Sequence, residues 1–474
     1  MQSPAQSLAA PSLVHTLLAR RRRLAQQIDF PVLLWSGTAK SRNFAANIYP
    51  YRASSHFLYF AGLPLENAAI RIEGDQLMLF MDDATADDVL WHGPGPSRND
   101  IAEQIGATAA HPLKALADLG QGVATFGEKD ETVQMLEQAM LQRSIVIPRH
   151  GVRSNQTLEK AIVQLRMIHD EGSLAAIRQA IAVTVSAHKA GMAATPAVLA
   201  KQGIEAQVRA AMEGVIMAHD MTCAYGSIVT IAGEVLHNNH YHQPLSAGDL
   251  LLADVGAETT GGWAADITRT WPVTGKFSST QRDLYDVVLA AHDFCIEKAQ
   301  PGAEYADIHQ IACQIMAAGL VELGILKGDP EALVADDAHA LFFPHGVGHL
   351  MGLDVHDMED LGDLAGYAEG RGRSDRFGLA FLRLNRVLAP GMVITIEPGF
   401  YQVPAILNDP KNRDRYAQSV NWERLEQFAD VRGIRIEDDI LITEQGNEVL
   451  SRDLPTAASA IEDLMMNLKQ TAAL

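Results

Sequence analysis

The sequence predicts two domains, an α/β domain over residues 1–155 and a larger domain of mixed helix and strand over residues 156–474. Three observations predict it. At 474 residues the chain is long enough for two or three well-buried cores. Short apolar runs bounded by turn residues fill its first third. A polar stretch, residues 149–155, then leads into a long helical run followed by strands alternating with turns.

The elements follow in order. Residues 13–18 are apolar and precede Arg20-Arg21-Arg22-Arg23, which reads as an amphipathic first helix with a basic, solvated end. A secretory signal has the opposite order, so a transit role is the remaining targeting reading. Residues 30–34 and 77–80 read as buried strands, residues 49–60 as an aromatic-rich stretch, and residues 91–96 as an exposed loop. A helical run over residues 156–194, broken around Gly172, precedes a second over 197–218, with Pro196 suited to a helix start. Residues 250–255 and 264–272 flank a turn and read as a hairpin. Ser278 and Gln281 resemble a capping box that opens a helix to about Lys298. A helix over 305–323, strands over 393–400 and 433–443, and a closing helix over 455–468 complete the chain.

Composition narrows the function. The apolar fraction is 47% and the charged fraction 20%, ordinary for a soluble globular chain. A net charge of -20 disfavours nucleic acid and anionic membrane as partners. No apolar run approaches the ~20 residues that span a bilayer. Cys223, Cys295 and Cys313 form no CxxC pair, so they read as reduced thiols and the cytoplasm as the default compartment.

Five residues carry candidate chemistry: Asp254, Asp266, His349, Glu397 and Glu437. Four carboxylates and an imidazole are hard ligands, suited to Mn²⁺, Co²⁺, Fe²⁺ or Zn²⁺. They have enough oxygens to bridge two ions, an arrangement that activates water for hydrolysis. A single Asp is more often a turn residue. Two bounding one buried hairpin are costly unless paired or metal-bound. Facing positions on paired strands lie about 5 Å apart, so the two aspartates could converge. His345, His349 and His356 fall in one glycine-rich window, His-Gly-Val-Gly-His-Leu-Met-Gly-Leu-Asp-Val-His, which fits a wall where backbone approaches a ligand. Glu397 and Glu437 interrupt apolar strands, where Arg435 or a metal could compensate them.

These phrases resemble the creatinase/methionine aminopeptidase superfamily, and within it the proline-specific peptidases. The motifs Asp-Val-Gly at 254, Asp-Ile-Thr-Arg-Thr at 266, His-Gly-x-Gly-His at 345, Glu-Pro-Gly at 397 and Arg-Ile-Glu-Asp-Asp at 435 occur in the family's order. Tyr49-Pro50-Tyr51-Arg52 through Phe60-Ala61-Gly62 resembles its N-terminal domain. The resemblance implies an α/β N-terminal creatinase-like domain followed by an α+β pita-bread catalytic domain with pseudo-twofold halves. It implies two divalent ions, most often Mn²⁺, with Asp254 chelating one, Asp266 and Glu437 bridging, and His349 and Glu397 completing one shell. A hydroxide held between the ions would attack the scissile carbonyl. Glu397 would shuttle the proton and His356 would stabilise the intermediate. His237 and His345 would line the substrate pocket, and Arg435 would orient the carboxylates.

The substrates implied are peptides with proline second. Their scissile amide has no N–H and needs a dedicated pocket. Xaa-Pro aminopeptidase is the leading reading. Xaa-Pro dipeptidase, with Arg383 holding the dipeptide carboxylate, is the alternative. A metal-free hydrolase and a non-catalytic binding protein are further alternatives, opposed by the intact ligand set. Relatives of this kind assemble as dimers or tetramers, so a homo-oligomer is expected.

Overall fold

A computed structural model describes residues 12–126, 131–145 and 153–471. By spatial contact the chain forms two units, residues 1–176 with Thr260–Gly262, and residues 177–259 with 263–474. Of the polar stretch at 149–155, residues 149–152 lie outside the described residues, and Arg153–Arg166 form a helix.

The first unit is built on a four-stranded sheet in the order β1 (Val32–Trp35), β2 (Ala69–Glu73), β3 (Gln76–Phe80) and β4 (Ala109–His111). β1–β2 and β2–β3 are antiparallel and β3–β4 is parallel. Leu33, Trp35, Phe80, Leu116, Val123 and Leu141 form a core on this sheet. The aromatic-rich stretch ends in a buried helix, Ser55–Ala61.

Two expectations for this unit are corrected. The basic end of the first helix, Leu13–Ala25, is solvated only in part: Arg22 is exposed, but Arg20 and Arg21 are buried. Arg20 holds Asp170 through Nε and Nη2 at 2.8 and 2.9 Å, and Arg21 donates to the carbonyls of Ile105 and Gly106. The guanidinium fork can satisfy several acceptors at once, which is why it is tolerated inside. The stretch at 91–96 is a loop only from Gly93, because Trp91 and His92 end the helix Ala86–His92.

The second unit repeats one set of elements. Helices Glu171–Ala200 and Glu205–Ala218 precede a three-stranded sheet of β6 (Ile228–Thr230), β7 (Leu250–Asp254) and β9 (Thr268–Pro272). They also precede a two-stranded sheet of β5 (Thr222–Cys223) and β8 (Ala257–Glu258). Helices Ser279–Lys298 and Tyr305–Glu322 likewise precede a three-stranded sheet of β10 (Val393–Ile396), β13 (Asp438–Thr443) and β14 (Gly446–Val449), and the β-pair β11 (Gly399–Tyr401)–β12 (Gly433–Arg435). A bridge between Thr268 and Glu437 joins the two sets. Ser278 and Gln281 do form the capping box, with reciprocal bonds of 3.0 and 3.1 Å.

Here too the boundaries shift. The break in the long helical run falls at residues 167–170, and Gly172 lies in the next helix's first turn. Pro196 sits inside Glu171–Ala200, one turn before its end. It has no N–H to offer the Met192 carbonyl, and the helix stops soon after rather than starting there. The closing helix begins at Ala458. Each long strand expected around a candidate glutamate is two strands, separated at Glu397-Pro398 and at Ile436-Glu437. Both glutamates therefore lie at strand breaks, where a side chain can leave the sheet's alternation.

Two buried histidines give this unit an acid sensitivity. Burial lowers His309 to about 4, and burial with nearby Arg376 lowers His339 to about 4, against an ordinary 6.5. Both are neutral in the fold, so their contribution is complete above pH 6.5 and is lost as pH falls toward 4. Each should cost roughly 1 kcal/mol per pH unit in that window. Both His339 ring nitrogens are buried without a hydrogen bond. His339→Phe should therefore flatten the fall in urea midpoint between pH 6.5 and 5 relative to the parent chain.

Candidate metal centre

Asp254 ends β7 and faces Thr268 across the β7–β9 ladder. Asp266 precedes β9, so the two aspartates are not partners in register as the hairpin reading implied. They are joined instead by Tyr225, whose hydroxyl lies 2.6 Å from Oδ1 of each. One phenolic proton serves one acceptor at a time, so the other carboxyl needs a proton or a cation. The Asp266 main-chain N–H donates to Asp439 Oδ2 at 3.1 Å, which anchors the residue ahead of its strand.

His349 is held on both sides. Its N–H donates to Thr395 Oγ1 and its carbonyl accepts from Thr395 N–H. Its Nδ1 lies 3.0 Å from the Leu350 carbonyl, which fixes the proton there and leaves the Nε2 lone pair for a ligand. Nε2 is 3.4 Å from Asp266 Oδ2 and 3.8 Å from Glu397 Oε1. Glu437 Oε2 accepts from Thr268 Oγ1 at 2.7 Å. Ligand atoms of Asp266, His349 and Glu437 lie within 4.8 Å of one another.

Gly348 sets this geometry. Its φ is +153°, and a Cβ there would fall 2.2 Å from the Thr395 carbonyl oxygen and 2.3 Å from the Tyr305 hydroxyl. Gly348→Ala should push His349 out of line and weaken divalent-metal affinity about 10–100-fold, the range for disturbed supporting contacts. A metal titration with thermal unfolding as control checks this.

The electrostatics of the pocket bear on what it could hold. Among the described residues, Arg435 is the one guanidinium hydrogen-bonded to any of the four candidate carboxylate side chains, and it holds Asp254 Oδ2 at 2.6 Å. Burial, with Asp254 alongside, raises Asp266 to about 7. Burial raises Glu397 to about 7 although His349 and Arg435 oppose it. Glu437 is driven well above the carboxylate range by burial and by Asp266. Four carboxylates against one cation carry uncompensated charge that burial makes expensive. Divalent cations fit this donor set of carboxylate oxygens and one imidazole.

The other predicted residues divide. Arg435 also donates to Thr268 Oγ1 and the Tyr401 hydroxyl, and Tyr401 lies 2.9 Å from His345 Nε2. Burial, then Arg435, lowers His345 to about 3. The His356 ring lies 4.3 Å from the His349 ring, and burial lowers its pKa. His237 lies on the loop after β6, its pKa lowered by partial desolvation and then by Arg435. Arg383 borders the same cavity as His349 and His356, but its Nη1 is taken by Glu359.

Tyr225, Tyr401, Glu359, Thr395 and Asp439 were not singled out from sequence. Tyr401 lies four residues beyond Glu397 and could have been sought there. Tyr225 stands 29 residues before Asp254, and no local phrase marks it.

A paired-sheet fold with a buried Asp/His/Glu group of this kind defines a metal-dependent hydrolase. Residues 175–444 match the model of metallopeptidase family M24, and residues 18–132 that of the aminopeptidase P N-terminal domain. The chain belongs to metallopeptidase family M24 and has that family's pita-bread catalytic domain. It is 30% identical to the Xaa-Pro aminopeptidase of Escherichia coli K12, over 94% of this chain and 96% of that one. It is 34% identical to a probable Xaa-Pro aminopeptidase of Podospora anserina, over 85% of each. E. coli aminopeptidase P with the inhibitor Pro-Leu superposes at a TM-score of 0.78, with 28% identity, covering 98% of this chain and all of that one.

Proposed function

We propose that this chain is an Xaa-Pro aminopeptidase that removes the N-terminal residue from peptides with proline second. The observation that carries the reading is the meeting of Asp266, His349 and Glu437 within 4.8 Å, with Asp254 and Glu397 beside them and one guanidinium to balance four carboxylates. Asp254, Asp266, His349, Glu397 and Glu437 would hold two divalent ions, for which Mn²⁺ is our choice over Co²⁺, Zn²⁺ and Fe²⁺. Bound divalent ions supply positive charge at the carbonyl and make water nucleophilic near neutral pH.

The chain's own groups do the rest. Glu397 takes the proton from the attacking water and delivers it to the proline nitrogen, which has no hydrogen of its own. His356 donates to the carbonyl oxygen as charge develops there. His237 and His345 flank the substrate. Arg435 holds Asp254 in place, and through Tyr401 it steadies His345.

The dipeptidase reading stands second because Arg383 lies on the same cavity. The division at 155/156, a homo-oligomer and a cytoplasmic location complete the proposal. The exposed Val89-Leu90-Trp91 of the first unit supports self-association, with Trp91 78% exposed. The cysteines support a reducing compartment: all three are free. No helix among the described residues is long and apolar enough to cross a membrane.

The test compares Xaa-Pro-Yaa tripeptides with Xaa-Pro dipeptides on protein reconstituted with Mn²⁺. Tripeptide cleavage with metal bound is expected. Cleavage confined to dipeptides would reverse the two readings, and absence of bound metal after reconstitution would sink both.

A further inference from the structure

The candidate site has a carboxylate that no metal-ligand reading uses. Glu359 opens the short helical turn Glu359–Leu361, directly after Met358, whose φ is +60°. A left-handed non-glycine residue costs about 1–2 kcal/mol, so this turn is held by its surroundings. Met358 is fully buried, which holds the bend, and Glu359 lines the cavity. Both Glu359 oxygens accept from Arg383 Nη1, at 2.7 and 2.8 Å. Oε2 also lies 3.4 Å from His356 Nδ1.

Arg383 would otherwise be an open cation beside His349 and His356. The other guanidinium lining the cavity, Arg373, is engaged by Asp363 and by the Leu382 carbonyl. An unopposed guanidinium at this place would select substrates ending in a carboxylate, because charge-assisted pairs are strong. Glu359 neutralises it, and its own charge repels any second carboxylate brought to the same spot. Burial alone would raise the Glu359 pKa, yet the nearby His356 and Arg383 bring it down to about 2, so the repelling charge persists through the neutral range.

We propose that Glu359 is a specificity-determining residue: by occupying Arg383 it withdraws selection for a free carboxylate directly after proline and opens the site to longer peptides. The assignment rests on the Xaa-Pro peptidase reading and names which chain lengths that site takes. Arg383 is the group through which Glu359 acts.

The experiment measures kcat/KM for an Xaa-Pro dipeptide, its C-terminal amide and an Xaa-Pro-Yaa tripeptide on Mn²⁺-loaded protein. It uses the parent chain, Glu359→Gln, Arg383→Ala and the double variant. Glu359→Gln should raise the dipeptide-to-amide ratio about tenfold or more. The rise should vanish in the double variant. An unchanged ratio overturns the proposal, as does a rise that survives loss of Arg383. A fall in the ratio would mean that Glu359 aims Arg383 at the carboxylate, the opposite of what is proposed. Loss of kcat by one factor on all three substrates would make Glu359 a support for His356 alone, and also overturns it. Equilibrium binding of the dipeptide and its amide is measured on the same four proteins. If no protein turns over any substrate, the peptidase reading fails, while the binding ratio still decides the role of Glu359.

Discussion

Replacing Glu397 with glutamine should lower kcat for an Xaa-Pro-Yaa tripeptide on the order of 10³-fold, within the range general acid–base catalysis supplies. Glutamine keeps the volume and one carbonyl oxygen but cannot take or give the proton. The backbone contact should survive, because the Glu397 N–H is bonded to the Val347 carbonyl at 2.8 Å. The side chain is poised between two imidazoles, 3.8 Å from His349 Nε2 and 3.9 Å from His345 Nδ1. Kinetics are read together with metal content. Lost turnover with metal retained assigns the shuttle. Lost turnover with lost metal assigns Glu397 to ligation first. Activity within tenfold of the parent chain contradicts both roles.

The second large effect is on stability. Arg435→Met should destabilise the metal-free protein by about 3–5 kcal/mol, the cost of leaving a buried charge without its partner. Arg435 is 3% exposed and touches Asp254, Thr268 and Tyr401. Methionine fills part of the volume and supplies no charge, so Asp254 would face Asp266 and Glu437 with no guanidinium bonded to any of them among the described residues. Bound divalent ions would restore much of the balance. The predicted signature is therefore a denaturant midpoint that falls steeply without metal and only modestly with it. Equal losses in both states would mean that Arg435 serves packing rather than charge.

Much of the candidate site was legible because each candidate ligand interrupts a pattern. A carboxylate at the end of Leu250-Leu251-Leu252-Ala253, or after Val393-Ile394-Thr395-Ile396, is an expensive residue in an apolar run, and that cost is visible without a structure. The histidine window was legible because its glycines are dense. Gly348 shows the reason, since the approach of Thr395 and Tyr305 leaves no room for a Cβ. Within the arginine run, Arg20 and Arg21 were misjudged because charge alone suggests solvent. Whether a guanidinium is buried depends on acceptors far along the chain, here Asp170 and Ile105.

Local chemistry and spacing were enough to determine the two-domain build, the candidate ligand types and the hydrolytic character. Those properties depend on residues within a few positions of each other, or on one residue's own cost of burial. The tertiary structure alone decided how the charges are shared. Tyr225 joins Asp254 to Asp266, Arg435 chooses Asp254 over its near neighbour Glu437, and Glu359 closes on Arg383 from 24 residues away. Such pairings are set by which strands and loops meet in space. No window of sequence contains both partners in their folded relation.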